Sequence, residues 1–210
     1  MNKQIKSIGT AIAIMLSSAS HASILIDQNQ PNNPDFLADF GEFHVAQSFQ
    51  QTNSNIAGAG VFLLEYFGMS DTVTIMLWDA LPGQAGSTML ASASGIATPG
   101  ASGSFFDVFW APVAINAGAT YFLEFAALNP DPFAPLLGIA GDGFNNPYAS
   151  GEAYAQLDVF SDFESFPDAD YAFRTYYESQ QNTVPEPATL ALLGFGFAGF
   201  AFSRRQFKAR

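Results

Sequence analysis

The sequence predicts an all-β domain, an antiparallel sandwich of two packed sheets. Three observations predict it. From Val45 onward the apolar residues come in short bursts, rich in β-branched and aromatic types and separated by Gly, Pro, Asn and Ser, the pattern of strands joined by turns. The stretch Thr72-Val73-Thr74-Ile75-Met76-Leu77-Trp78 alternates, placing Val73, Ile75 and Leu77 on one face and Thr74 and Met76 on the other, so one face is core. No stretch carries a convincing helical period.

In chain order the candidate strands are Val45 to Phe49, Gly60 to Tyr66, Val73 to Trp78, Met89 to Ser94, Phe105 to Trp110, Thr120 to Ala126, Leu136 to Ile139, Ala153 to Leu157 and Tyr171 to Tyr177. Nine short strands suit two sheets better than one. Pro82-Gly83 and Asn116-Ala117-Gly118 mark connections, Gln28 to Asp35 reads as the one loop-like tract, and no solenoid-length repeat is present.

Both ends differ from this middle. Lys3 and Lys6 precede a short apolar run from Ile8 to Leu16, and Ser20-His21-Ala22 sets small residues at −3 and −1, which predicts a secretory signal cut by signal peptidase after Ala22. At the other end Val184-Pro185-Glu186-Pro187 leads into an apolar run from Ala188 to Phe202, followed by Arg204, Arg205, Lys208 and Arg210. An apolar helix there would span about 22 Å at 1.5 Å per residue, short for a bilayer, with the basic cluster stopping transfer and holding the C-terminus inside. Gly194-x-x-x-Ala198 has small-residue spacing, but in so Gly-rich a run chance accounts for it. The expected organisation is residues 1–22 signal, 23–184 sandwich domain and 185–210 membrane tail, its helix at 188–202.

Charge becomes informative once divided this way. Residues 23–184 hold eighteen carboxylates against Arg174 alone, a formal −17 with histidines neutral. Such a surface repels nucleic acid and anionic head groups; the charged partners it suits are cations, and the uncharged ones include sugars. With no cysteine in the chain, disulfides and thiolate metal sites are excluded.

The Pro-Glu-Pro triplet, apolar helix and basic end, in that order over the last 27 or so residues, resemble the PEP-CTERM sorting signal. The resemblance implies recognition at Pro185, Glu186 and Pro187 by exosortase, an integral-membrane cysteine transpeptidase that removes the helix. It also implies a transient membrane stage and a surface or extracellular destination in a Gram-negative bacterium that makes exopolysaccharide. Across the middle, Ala46-Gln47-Ser48-Phe49, Ala59-Gly60-Val61, Thr72-Val73-Thr74-Ile75, Pro82-Gly83, Pro112-Val113, Ala117 to Leu123 and Ala172 to Tyr176 resemble the extracellular jelly-roll modules of exported bacterial proteins. Those modules look like carbohydrate-binding domains in fold, and fold analogy does not supply a ligand.

Catalysis is poorly provided for. His44 is the only imidazole left after the signal, no Gly-x-Ser-x-Gly elbow occurs, and a lone His beside a strand is usually structural. Paired carboxylates for glycoside hydrolysis stay open, because eighteen acids offer many pairs. Asp158, Asp162, Glu164, Asp168 and Asp170 crowd thirteen residues beside the oxygen-rich turn Gly141 to Asn146. They could ligate Ca²⁺, though the order matches no EF-hand and a solvated acidic loop explains them more simply. Arg174 can fork toward a ligand, or, as we prefer, clamp the last strand through an acid such as Asp170 or Asp168. Trp78, Trp110 and Tyr148 are the candidate sugar platforms, against the plain alternative that aromatics fill a disulfide-free core. The function expected is a non-enzymatic surface or matrix protein that holds glycan or exopolysaccharide, the alternative a carbohydrate-active enzyme with a carboxylate pair.

Overall fold

A strand that alternates buries one face only, and needs a second sheet to cover it. The computed structural model of the chain describes residues 22–40, 44–66, 70–128, 136–156 and 162–179, and every regular element among them is a strand. In order these are β1 (Ser23–Gln30), β2 (Asp35–Asp39), β3 (His44–Gln50), β4 (Asn55–Glu65), β5 (Asp71–Trp78), β6 (Met89–Ala97), β7 (Ser104–Ala114), β8 (Thr120–Ala127), β9 (Leu137–Asp142), β10 (Ala153–Gln156), β11 (Glu164–Phe166), β12 (Asp170–Tyr171) and β13 (Phe173–Ser179). One sheet runs β1-β13-β4-β9-β12, with β2 added on β9 and β7 on β4. The other runs β11-β10-β3-β8-β5-β6. Each pairing is antiparallel.

The two sheets bury their inner faces against each other. Val45, Phe49, Ile75, Leu77, Leu123 and Phe125 from one meet Ile56, Val61, Leu63, Ile139 and Phe173 from the other in a single cluster, with the Phe49 and Phe173 rings 6.2 Å apart. Truncating one of these leucines to alanine costs about 2–5 kcal/mol. β5 follows the alternation of its sequence, Val73, Ile75 and Leu77 buried and the residues between them half-exposed. Polar groups also cross the interior. Gln47 donates to Asp170 Oδ1 at 2.8 Å and accepts from the Tyr171 N–H at 2.9 Å, while Thr175 donates to Gln51 at 2.7 Å. Each bond ties β3, or the turn after it, to the last strands of the opposite sheet.

Three expectations need correction. The segment from Gln28 to Asp35 is not one loop: Gln28 to Gln30 complete β1, only 31–34 lack regular structure, and Asp35 opens β2. β1 is mostly exposed and β2 buries Ala38 alone, so neither shows an alternating apolar face and the pattern hid them. The expected last strand is divided at Ala172, where β9 and β4 diverge: its N–H bonds to Ala140 and its carbonyl to the Phe62 N–H, so β12 arrives along β9 and β13 leaves along β4. The expected nine strands are thirteen among the described residues, the additions being β1, β2, β11 and this division.

Residues Ser23–Ser179 form one compact unit, with its sheets and core contained in it. The expected signal up to residue 21, the Pro185-Glu186-Pro187 triplet, the apolar run 188–202 and the basic residues Arg204, Arg205, Lys208 and Arg210 lie outside the described residues, as do Asp158 and Leu157. Among the described residues no helix is long and apolar enough to cross a membrane.

Candidate functional site

Because Val45, Gln47 and Phe49 point inward on β3, His44, Ala46 and Ser48 point outward, and the same count puts Glu124 on β8, Trp78 on β5 and Gln156 on β10 on the outer face of the six-stranded sheet. Register brings them side by side. Tyr154 pairs with Ala46, Ala46 with Glu124, and Glu124 with Met76. Over this floor lie Leu81 to Ala85 of the β5–β6 connection and Asp162 and Phe163 ahead of β11, which together enclose a cleft of about 780 Å³. That is within the range of small-ligand sites.

The chemistry of the cleft is mixed. His44 Nδ1 lies 3.0 Å from Glu124 Oε1, a diagonal pair between adjacent strands. The hydrogen bond to the carboxylate raises the His44 pKa, and partial burial opposes it. With Nδ1 serving Glu124, Nε2 is the ring atom left to the cleft. The Trp78 indole Nε1–H is buried and has no acceptor among the described residues, an arrangement that costs about 1–3 kcal/mol. Asp162 has no ion pair or hydrogen bond among the described residues.

Of the four side chains singled out for ligand binding, Trp78 alone lines this cleft. Trp110 donates its indole N–H to the Ile56 carbonyl at 3.1 Å, at the bulge where β4 slips against β7. The Tyr148 hydroxyl donates to Gln28 at 3.0 Å, and its ring meets Phe173 edge-on at 5.0 Å, so burial pushes its pKa up. Arg174 is an ion-pair residue, as preferred, with a different partner. It forks onto Asp107 of β7, Nε to Oδ1 at 2.7 Å and Nη2 to Oδ2, rather than reaching Asp170 or Asp168, and that bond raises its pKa.

The acidic segment is dispersed. Asp162 lines the cleft, Glu164 is exposed on β11, Asp168 lies in a turn, and Asp170 is 0% exposed. Asp170 accepts from Gln47 and from the Tyr148 N–H at 2.9 Å, yet burial outweighs both bonds and lifts its pKa to about 6. Asp142, its partner across β9 and β12, takes the Asn145 side chain and the N–H groups of Phe144 and Asn145, which lower its pKa. Among the described residues no group of three or more His, Asp or Glu side chains is placed to hold a metal ion.

Sequence reasoning weighed His44 and set it aside as structural, and did not single out Glu124. Their positions 80 residues apart join only through the β3–β8 register. No curated protein matches the chain. A family-model match lies beyond the sandwich in sequence: residues 183–205 fit the model described as the PEP-CTERM protein-sorting motif, and the chain therefore carries that sorting motif after its β-sandwich domain.

Proposed function

We propose that the chain is an exported, non-enzymatic cell-surface or extracellular-matrix protein, sorted through its C-terminal motif and holding glycan on the outer face of a jelly-roll-like sandwich. The observation that carries delivery is the sorting motif at residues 183–205, which points to an exosortase-type processing enzyme, to passage through the inner membrane of a Gram-negative bacterium, and to release or anchoring at its surface. The apolar run at 188–202 serves as the temporary membrane anchor, and signal peptidase removes residues 1–22. The cleft supports the glycan part: a strand floor carrying Trp78, His44, Glu124 and Gln156, with Asp162 beside it, offers the polar and aromatic groups that sugars use. An exopolysaccharide or biofilm-matrix polymer is the ligand such a destination supplies.

A glycan array with the 23–184 fragment tests this, run with and without Ca²⁺. Retention of glycan without turnover is the expected result. Hydrolysis of a bound glycan, lost in Glu124→Gln or Asp162→Asn, would establish the carbohydrate-active alternative, since both carboxylates line the same cleft.

A further inference from the structure

The charges around the cleft select among glycans. Glu124 and Asp162 are both on its lining, and the sole cationic group among its lining residues is His44, which already faces Glu124. The one arginine of the domain is on the opposite sheet and spent on Asp107. An anionic sugar entering here would bring its carboxylate or sulfate toward two carboxylates, inside a domain of formal charge −17 over residues 23–184, with no guanidinium or ammonium to receive it. A hydroxyl is different, because it donates to a carboxylate and accepts from an N–H with the same oxygen. Among the described residues Asp162 supplies an acceptor with no protein donor, and Trp78 supplies a donor with no protein acceptor.

Resting on the glycan reading above, we propose that the cleft takes an uncharged polyhydroxyl segment and rejects uronate or sulfated polymers. Its hydroxyls donate to Asp162 and Glu124, and one of its oxygens accepts from Trp78 Nε1–H. That N–H is buried in the unliganded protein, so a neighbouring group shifts when the ligand reaches it.

Affinity electrophoresis of the 23–184 fragment through gels containing either a soluble neutral glucan or alginate reads this directly. The neutral glucan is expected to retard the wild-type fragment and alginate to leave it unretarded, at both low and high salt. Trp78→Phe, which keeps a ring and removes the N–H, and Asp162→Asn should each weaken retardation by about tenfold, the loss of one good hydrogen bond. Phe144→Ser, at an 82% exposed residue outside the cleft, should not. Retardation by alginate equal to or stronger than by glucan, sensitive to the same two substitutions, would overturn the ligand class and leave glycan binding standing. Retardation by glucan that neither cleft substitution alters would overturn the site. Retardation by neither polymer, together with an empty glycan array, would overturn both readings.

Discussion

Arg174 and Asp107 meet above a residue that has no side chain. Gly60 of β4 stands between them in register, paired with Asp107 of β7 on one side and with Arg174 of β13 on the other. A β-carbon at Gly60 would be driven into Asp107 Oδ1, so the glycine leaves the channel through which the pair closes. The same carboxylate accepts from Tyr176 Oη at 2.8 Å, and the guanidinium rests 4.2 Å from the Phe105 ring. Two residues earlier the device repeats in apolar form: Phe109 and Tyr176 rings meet at 5.0 Å across Gly58. Three strands are thus stitched on their outer face, across the middle one.

Gly60→Ala should therefore destabilise the domain by about 1–3 kcal/mol through overpacking, although alanine is ordinarily acceptable in a strand. In a double-mutant cycle, Arg174→Ala and Asp107→Ala should couple by about 1–3 kcal/mol, since both side chains are only about one-fifth exposed. Urea midpoints of the four proteins measure it. Additive single effects would mean that the pair is a surface ornament.

The pH dependence of stability should carry the mark of Asp170. Its folded pKa, about 6, stands above the unfolded value of 3.8 because burial disfavours the charged form. The folded protein therefore binds the proton more tightly. Its contribution to stability is complete below pH 3.8 and is lost as pH rises through about 6. Asp142 works in the opposite sense, its lowered pKa giving stability that is present above 3.8 and lost on acidification. Melting curves between pH 4 and 7 should show the Asp170 decline in the wild-type fragment, and Asp170→Asn should flatten it. An unaltered slope in that variant would assign the titration elsewhere.

What the sequence made legible follows from range. The alternation of β5 survives intact because it is local, and the sorting motif was readable because its three parts are contiguous. Arg174 was recognisable as an ion-pair residue from its isolation among acids, but its partner lies 67 residues away and is chosen by the β7–β4–β13 register. A signal was present: Gly58-x-Gly60 inside a strand pattern marks close approach from outside. Trp78 could be named as a candidate, whereas the cleft around it needed β3, β8 and β10 to become neighbours, which no local pattern states. Asp162 was noticed for the wrong company, among sequence neighbours that the fold sends to different faces.

Calcium gives a further test of that dispersal. Asp170 is committed to Gln47 and Tyr148, and Asp162, Glu164 and Asp168 are separated from it. Millimolar Ca²⁺ should leave the melting midpoint of the 23–184 fragment unchanged. A site at tenfold excess over its Kd would instead add about 1.4 kcal/mol. A midpoint that rises, and rises equally in Asp170→Asn, would place the ion on the remaining acids of the segment, Asp158 included.

The tail makes the last prediction, and it separates address from anchor. Pro185, Glu186 and Pro187 lie within the matched motif, and proline keeps the residue before it extended, away from helix. The apolar run from Ala188 to Phe202 is barely long enough to span at about 1.5 Å per residue, and the four basic residues beyond it oppose further transfer. Replacing the triplet with Ala-Ala-Ala should leave export and insertion intact, because neither the signal nor the apolar run is touched, and should stop processing. Full-length chain, its tail retained, should then collect in the inner membrane of a host that possesses the sorting enzyme, while wild-type protein appears shortened at the surface or in the medium. Neutralising Arg204, Arg205, Lys208 and Arg210 should act differently, letting the chain pass the membrane unanchored. Fractionation followed by intact-mass measurement distinguishes these outcomes. Normal shortening of the Ala-Ala-Ala variant would show that the triplet is no address, and the apolar run would then be either a permanent anchor or the target of a less selective protease.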